Sequence, residues 1–185
     1  MLFLVALALG VIVGLAVRGS LEKFARLRFR WPWLVVAALV VREATVLTPL
    51  RNIDGIQLVY SASLAALIAW TVWHIKRVRG LWLVAIGSTL NLVVIAANGG
   101  RMPVAAELAG SLVQRGHLGQ YTLMGSGTRL NWLADWIALP GPVRFEAYSP
   151  GDLVVAVGIA AVIVLAMRSR TGIPETGPRI VSDPP

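Results

Sequence analysis

Five long stretches of apolar residues constrain the fold of this chain more than any other feature. They cover residues 1–17, 31–50, 56–75, 81–97 and 152–167. About 20 helical residues cross a hydrocarbon core, with a working range of about 17 to 25, so each stretch is close to the length of one crossing. Only 14% of the 185 residues are charged, against about 25% in soluble domains. We therefore predict an all-α fold: a five-helix transmembrane bundle.

The positions of the charged residues indicate how such a bundle would lie in a membrane. The net charge is +8, but the basic residues cluster at the ends of the apolar stretches, which argues against nucleic acid as a partner. Eleven of the 17 Lys and Arg residues lie in segments 18–30, 76–79 and 168–179. Cytoplasmic loops favour such residues. We therefore expect a multi-pass protein of the bacterial plasma membrane, with its N-terminus outside and its C-terminus in the cytoplasm.

The chain is predicted to form one transmembrane domain followed by a tail. The domain covers residues 1–170 and has the lipid bilayer as its first partner. Residues 171–185 are rich in Pro and Gly and have no periodicity. We expect them to form a flexible cytoplasmic tail.

The first apolar stretch carries a face of small residues. Ala6, Gly10 and Gly14 recur every four positions and therefore lie on one side of a helix. Helices in lipid approach one another closely through such faces. The sequence leaves two uses open, packing within the chain and a homo-oligomer.

Polar residues lie at helical spacing in the third and fourth stretches. They are Tyr60, Ser63, Trp70 and His74 in the third, and Ser88, Asn91 and Asn98 in the fourth. Because hydrocarbon offers no hydrogen-bonding partners, we expect the two sets to point inward and to face each other. They would either join the two helices or line a ligand cavity.

Arg42 and Glu43 are charged residues within the second stretch. A charge there is costly in lipid and usually marks an ion pair or a polar cavity. Arg42 follows Trp31 by eleven residues, roughly 16 Å along a helix, which places it beyond the midplane toward the outer face. We expect one or both residues to pair with the outer loop. The alternative is that Arg42 reaches the outer headgroups while Glu43 lies at the surface.

Residues 98–151 form a long outer loop, for which a structured role is expected. Asn98, Gly99 and Gly100 are suited to ending the fourth helix with a residue at positive φ. Two amphipathic helices are predicted after them. The first begins at Pro103 and places Val104, Leu108 and Leu112 on one face; the second begins near Thr128 and aligns Leu130, Leu133 and Ile137, flanked by Trp132 and Trp136.

Short motifs in this loop carry a resemblance. They are Asn98-Gly99-Gly100-Arg101-Met102-Pro103, Leu133-Ala134-Asp135 followed by Leu139-Pro140, and Ser149-Pro150-Gly151-Asp152. With them the chain resembles, over nearly its whole layout, a family of small bacterial membrane proteins of unknown function. Pro150 stands where that family is expected to have an aliphatic residue. The resemblance implies a multi-pass membrane protein, and it does not imply any particular activity for this chain.

Polar and charged residues toward the outer side form a candidate ligand site. They are Arg42, Glu43, Asn91, Asn98, Arg101, His117, Asp135 and Asp152. Their expected convergence predicts that the protein recognises a lipid-like ligand or another membrane protein. Two other functions stay open: an extracytoplasmic-side membrane enzyme using His117 and carboxylates, and a small oligomeric transporter. The simpler interpretation of Asp152 is a carboxylate at a helix N-terminus, with Ser149 as the cap.

Neither a cofactor nor a metal is expected. The chain has no Cys, which excludes disulfides, thiolate metal sites and iron-sulfur clusters. The spacings of zinc proteases and of nucleotide-binding loops are absent from the sequence. Whether the protein is an enzyme stays open.

Overall fold

A computed structural model of the protein describes residues 1–47, 53, 55–110, 120–141 and 145–168. The described helices are α1 (Leu2–Ala16), α2 (Leu21–Ala25), α3 (Pro32–Leu47), α4 (Ile56–His74), α5 (Leu81–Ala97) and α6 (Pro150–Arg168). Apart from the short α2, they lie on the five apolar stretches. Residues 48–50 of the second stretch and the predicted tail, 171–185, lie outside the described residues.

The end of α5 shows how local sequence sets a helix boundary. Gly99 and Gly100 both have positive φ, at 65° and 85°. The N–H of Gly100 donates to the carbonyl of Ile95 (2.9 Å), and the N–H of Gly99 donates to that of Ala96 (3.4 Å). This is a Schellman motif, in which glycine avoids the steric cost of a left-handed conformation. The helix end predicted from the Asn-Gly-Gly sequence is confirmed.

The large helices pack side by side in the order α3, α4, α5, α6 and α1. α3 and α4 are antiparallel, since the N–H of Arg30, just before α3, donates to Nε2 of His74 at the end of α4 (3.1 Å). α5 and α6 are also antiparallel, because Gly80 at the start of α5 lies against Val162 in the second half of α6. The end of α4, the start of α5 and the end of α6 therefore lie at one end of the layer.

α1 and α6 are parallel neighbours. At one end Met1 contacts Tyr148, just before α6, and at the other the N–H of Ser20 donates to the carbonyl of Met167 (3.0 Å). The small-residue face of α1 lies in this contact, where Ala6, Gly10 and Gly14 are all buried. A Cβ on Gly10 would lie 3.0 Å from Cα of Ala160, and one on Gly14 would lie 2.3 Å from Sδ of Met167. The chain thus uses this face for its own packing.

Large apolar side chains cover much of the outward surface of the helices. Leu4 and Ile12 of α1 are 65% and 61% exposed, and Leu58 of α4 is 64% exposed. Of the described helices, α4 and α6 are long and apolar enough to cross a membrane, while α1, α5 and Pro32–Val41 are shorter apolar helices. The protein is therefore mostly helical, with apolar side chains facing outward.

The outer segment differs from the prediction, because within the described residues it contains short strands. Strands β1 (Met102–Val104) and β2 (Tyr121–Leu123) are parallel, and β3 (Ile137–Pro140) and β4 (Phe145–Tyr148) are antiparallel. A 3-10 turn covers Asn131–Leu133. The prediction of an all-α fold was therefore wrong here, and neither amphipathic helix begins at the predicted residue, while Leu112 of the first one lies outside the described residues. We call residues 98–110, 120–141 and 145–149 the cap.

Tertiary hydrogen bonds explain this difference. The N–H of Met102 donates to the carbonyl of Gln120 (2.7 Å), and the carbonyl of Pro103 accepts the N–H of Asp135 (3.0 Å). β1 is thus paired on both sides, and Val104 is buried at the end of a strand instead of on a helix face. In the second segment, Leu130 has a positive φ of 57° before the 3-10 turn, and Ala134 is extended after it. Apolar spacing of three and four residues fits a short turn followed by a strand as well as it fits a helix.

An apolar core attaches the cap to two of the large helices. It joins Tyr60 and Leu64 of α4 and Val94 and Ile95 of α5 to Met102, Leu133 and Ala134 of the cap. Ala134 and Val94 are fully buried. The cap is therefore held by packing as well as by hydrogen bonds.

Candidate functional site

Asn91 joins α5 to the first turn of α6. Its Nδ2 donates to Oδ1 of Asp152 (2.8 Å), and its Oδ1 accepts a bond from the hydroxyl of Ser149 (2.8 Å). Oγ of Ser149 accepts the N–H of Asp152 (2.9 Å), while Oδ2 of Asp152 accepts the N–H of Ser149 (3.1 Å). This reciprocal pair is a capping box, with Pro150 at the first helical position. The simpler interpretation of Asp152, a helix N-terminal carboxylate with Ser149 as its cap, is confirmed.

Two glycines bring the helices close enough for this network. A Cβ on Gly87 would lie 2.5 Å from the carbonyl oxygen of Gly151, and a Cβ on Gly151 would lie 1.9 Å from Oδ1 of Asn91. Ser149 is fully buried at the same point. The network therefore forms a closed joint between α5 and α6, in which both carboxylate oxygens of Asp152 already accept hydrogen bonds.

Asn98 fixes the cap to the end of α5. Its Nδ2 donates to the carbonyls of Val94 (2.8 Å) and Arg129 (2.9 Å), and its Oδ1 accepts the N–H of Arg129 (2.8 Å). The carbonyl of Asn98 also accepts the N–H of Arg101 (3.4 Å). The backbones of Arg101 and Arg129 are thus tied to one residue, while both side chains are exposed. Two cations therefore emerge from neighbouring points of the cap.

Asp135 lies inside the cap. Its carbonyl accepts the N–H of Ala105 (2.9 Å), and Val104 and Asp135 form a parallel bridge beside β1. The residue is 7% exposed. Asp135 is therefore a buried residue of the cap whose backbone pairs with β1.

Glu146 and Tyr148 connect the cap to the start of α1. The Met1 ammonium donates to Oε2 of Glu146 (2.8 Å) and to the hydroxyl of Tyr148 (3.0 Å), and that hydroxyl donates to Glu146. The ammonium and the hydroxyl hold the pKa of Glu146 below its ordinary value. Burial, together with the Glu146 carboxylate, raises the pKa of Tyr148. Glu146 is therefore ionised, and Tyr148 neutral, across the physiological range.

Aromatic side chains remain on the surface of the cap. Trp132 is 67% exposed and Trp136 is 48% exposed, and Nε1 of Trp136 donates to the carbonyl of Trp132 (3.0 Å). Phe145 is 60% exposed. Indole rings of this kind are typical of the headgroup region of a membrane and of interfaces with partners.

Ser63, Asn91 and Asn98, from the predicted polar faces of the third and fourth stretches, bond to other parts of the chain. The hydroxyl of Ser63 donates to the carbonyl of Tyr60 in its own helix (2.7 Å), while Asn91 and Asn98 bind α6 and the cap. For these three residues the predicted contact between the two faces was wrong, because the amide side chains of α5 bind α6 and the cap, and the Ser63 hydroxyl is satisfied within its own turn. Leu64 of α4 and Val94 of α5 belong to the same buried apolar cluster.

His74, from the same predicted face, belongs to an aromatic cluster at the opposite end of α4. Its Nε2 accepts the N–H of Arg30, so the proton on the ring is on Nδ1, which donates to the carbonyl of Trp70 (2.8 Å). The Trp70 and His74 ring centroids are 4.2 Å apart, and Phe29 lies beside both. Nε1 of Trp70 donates to the carbonyl of Arg30 (3.0 Å). His74 therefore fixes the segment that leads into α3.

The structure brings some of the predicted site residues together and separates others. Asn91 and Asp152 are in direct contact. Asn98 lies seven residues from Asn91, about 10 Å along the helix axis, in a separate network. The side chains of Arg42 and Glu43, and the whole of His117, lie outside the described residues. The expected convergence on Arg42 stays a prediction.

Sequence reasoning missed two features. Tyr148 was not singled out, and a hydroxyl two residues from Glu146 is the signal that points to it. The basic residues 76–79 and Arg168 served only to predict orientation, although the structure places them around one crevice. Val78 between Arg77 and Arg79 is the available signal, because an apolar residue within a basic run is a candidate for burial, and the structure does bury it.

The described residues contain no group of three or more His, Asp or Glu side chains that could hold a metal ion. Residues 26–164 match the model of a family of unknown function, DUF5317. The chain belongs to DUF5317. The match covers α3 to α5, the cap and most of α6, so the expectation of a family of unknown function is confirmed. No curated protein and no solved structure matches this DUF5317 chain.

In chemical terms, the site of this DUF5317 member combines polar side chains that are bonded within the chain with exposed cationic and aromatic side chains. Hydrogen bonds within the chain engage Asn91, Asn98 and Asp152. The exposed groups of the cap include guanidinium and indole side chains. Such groups attract anions and apolar surfaces.

Proposed function

We propose that this protein is an integral membrane protein whose five large helices cross the bilayer. The apolar outward surface supports this, since lipid tails are the solvent that such a surface tolerates. α4 and α6 each have 19 residues, about 28 Å at about 1.5 Å per residue, against a hydrocarbon core of about 30 Å. The shorter α1 and α5 have 15 and 17 residues.

The charge distribution supports one orientation in the bilayer. α1, α4 and α6 start at the cap and end at the opposite pole, where segments 18–30 and 76–79 and Arg168 lie. Basic residues favour the cytoplasmic side. The cap is then outside and the basic pole is in the cytoplasm.

We further propose that the cap recognises a lipid-like molecule with an anionic head group at the outer surface. The carrying observation is that Asn98 fixes the backbones of Arg101 and Arg129 while both guanidinium groups stay exposed. Trp132 follows Arg129 by three residues and is the most exposed Trp of the cap. Guanidinium groups bind phosphate and carboxylate oxygens in bidentate geometry, and indole rings lie well at the headgroup level.

The test compares lipids that co-purify with the full chain in mild detergent, measured by mass spectrometry. In Arg101→Gln/Arg129→Gln, we expect the amount of anionic amphiphile retained by the cap to fall about tenfold, since each cation near a membrane surface contributes attraction. Arg26→Gln, an exposed residue of the opposite pole, serves as the matched control and should retain it. Unchanged retention in the double variant, or loss of a co-purifying membrane protein instead of a lipid, would contradict the proposal.

The alternative functions have no comparable support. The enzyme alternative relies on His117 together with carboxylates, and His117 lies outside the described residues. A small transporter would require an oligomer with a polar path. No observation on the described residues favours either function.

A further inference from the structure

A positively charged crevice of about 760 Å³ lies at the pole opposite the cap. Its described lining includes Lys76, Arg77 and Arg79 from the connection between α4 and α5, and Arg168 from the last turn of α6. The apolar part of the lining is Leu27, Val78, Leu165 and Ala166. No carboxylate is among the described residues that line it. We call this site the basic crevice.

The cations of the basic crevice are held on a fixed backbone. Val78 is 4% exposed and packs with Leu81 and Val162. α5 begins at Leu81 without a side-chain cap, so its N-terminal end adds to the positive potential. Arg168 lies at the C-terminal end of α6, whose partial negative charge offsets part of its own charge. The other three cations, Lys76, Arg77 and Arg79, lie just before the N-terminal end of α5, whose partial positive charge adds to theirs. A concave site with this charge and no described acid attracts an anion.

A second, apolar cavity of about 380 Å³ adjoins the basic crevice. It is a groove between α1 and α6, and its lining residues are Leu9, Gly10, Val13, Val157, Ala160, Ala161, Val164 and Leu165. Leu165 lines both cavities. We call it the apolar groove.

The two cavities follow one face of α6. Val157, Ala161, Val164 and Arg168 are spaced by four, three and four residues, which places them in one stripe. From Val157 to Arg168 the helix rises about 16 Å, close to half of a hydrocarbon core of about 30 Å. An acyl chain in the apolar groove would therefore occupy the depth of one leaflet when its head group lies in the basic crevice.

We propose that the basic crevice and the apolar groove together bind an anionic phospholipid of the inner leaflet. The phosphate lies among Lys76, Arg77, Arg79 and Arg168, and one acyl chain lies along the contact of α1 with α6. This inference rests on the membrane-crossing part of the proposed function and is independent of what the cap binds. A free phosphate ester shares the head-group chemistry but gains nothing from the groove.

The experiment uses the delipidated full chain in detergent and native mass spectrometry with three probes: dioleoyl phosphatidylglycerol, dioleoyl phosphatidylcholine and glycerol 3-phosphate. We expect the anionic lipid to bind about tenfold or more tightly than the zwitterionic one. Arg79→Gln/Arg168→Gln should reduce its affinity to that of the zwitterionic lipid, and the exposed control Arg26→Gln should not. Ala161→Phe, which fills the groove, should weaken the lipid without changing the binding of glycerol 3-phosphate.

Several results would overturn the inference. They are equal affinity for both lipids, an unchanged affinity in Arg79→Gln/Arg168→Gln, and binding of glycerol 3-phosphate as tight as that of the anionic lipid. If the double variant unfolds at lower temperature than the wild type, the exposed Arg77→Gln replaces it and is judged by the same criterion. Arg101→Gln/Arg129→Gln is measured in the same series. If the basic crevice does not bind the anionic lipid, the result for the cap is unaffected. If the cap does not bind an anionic lipid, the result for the basic crevice is likewise unaffected.

Discussion

At the scale of single residues, two asparagines join elements of the fold through their side chains. Asn91 links α5 to the capped start of α6, and Asn98 links α5 to the loop that carries Arg129. An amide side chain has donors and an acceptor, so it can bind both partners at once. In each case the side chain connects segments that are far apart in sequence.

The first prediction concerns Asn91→Ala. The change leaves the buried hydroxyl of Ser149 and one oxygen of Asp152 without their present partner, which costs about 1–3 kcal/mol for a buried polar group. Denaturant titration in detergent should therefore show a lower free energy of unfolding. The control is Thr89→Ala, two residues away on α5, an exposed residue whose hydroxyl donates to the carbonyl of Ala85 in its own helix. Equal decreases in the free energy of unfolding of the two variants would show that the joint between α5 and α6 contributes nothing to stability.

A second prediction at this scale concerns pH. Because the folded pKa of Glu146 lies below the ordinary value of 4.5, its contacts stabilise the fold fully above that value and are lost as the pH falls through the folded pKa. Glu146→Gln should therefore be less stable than the wild type at neutral pH, and the difference should vanish on acidification. Thermal unfolding measured in steps from about pH 7 into the acid range checks it. A difference that persists in acid would contradict the ionic account.

At the scale of elements, the crossing of α5 and α6 is decided by glycine. The helices approach through Gly87 and Gly151, and Gly158 of α6 lies against Val84 of α5. In a membrane, small residues of this kind let backbones approach closely enough for strong packing. The capping network at Asn91 depends on this approach.

Gly87→Ala tests the crossing. The added Cβ would lie 2.5 Å from the carbonyl oxygen of Gly151 and 2.7 Å from the backbone N of Val155, so backbone must move. Overpacking of this kind costs about 1–3 kcal/mol. We expect a lower melting temperature in detergent. The control is Gly127→Ala, where a Cβ meets nothing within 4 Å, and it should have the melting temperature of the wild type. A melting temperature of Gly87→Ala equal to that of the wild type would refute the close crossing.

The same scale shows what the sequence could and could not predict. The apolar stretches correspond to helices, and the Asn-Gly-Gly end of α5 was read correctly, because both depend on local periodicity and glycine geometry. The strands of the cap were missed. Their pairing depends on bonds such as that from Met102 to Gln120, which join residues distant in sequence, and a three-residue strand leaves no period to detect.

At the scale of the whole molecule, the protein has two unlike poles. The cap carries short strands, exposed indoles and Glu146 paired with the start of α1. The opposite pole carries the His74 cluster and the basic crevice. Sequence alone predicted this polarity from the basic clusters, but it did not predict the crevice, because Arg168 and residues 76–79 meet only when α6 packs against α5.

The most direct test of the account is which side of the membrane each pole faces. The chain has no Cys, so single cysteines can be introduced at Ser126 of the cap and at Ala25 of α2, both exposed. A membrane-impermeant maleimide should label Ser126→Cys in intact cells and Ala25→Cys only after permeabilisation. Equal labelling of both variants in intact cells, or labelling of Ala25→Cys alone, would contradict a membrane-crossing protein with its cap outside.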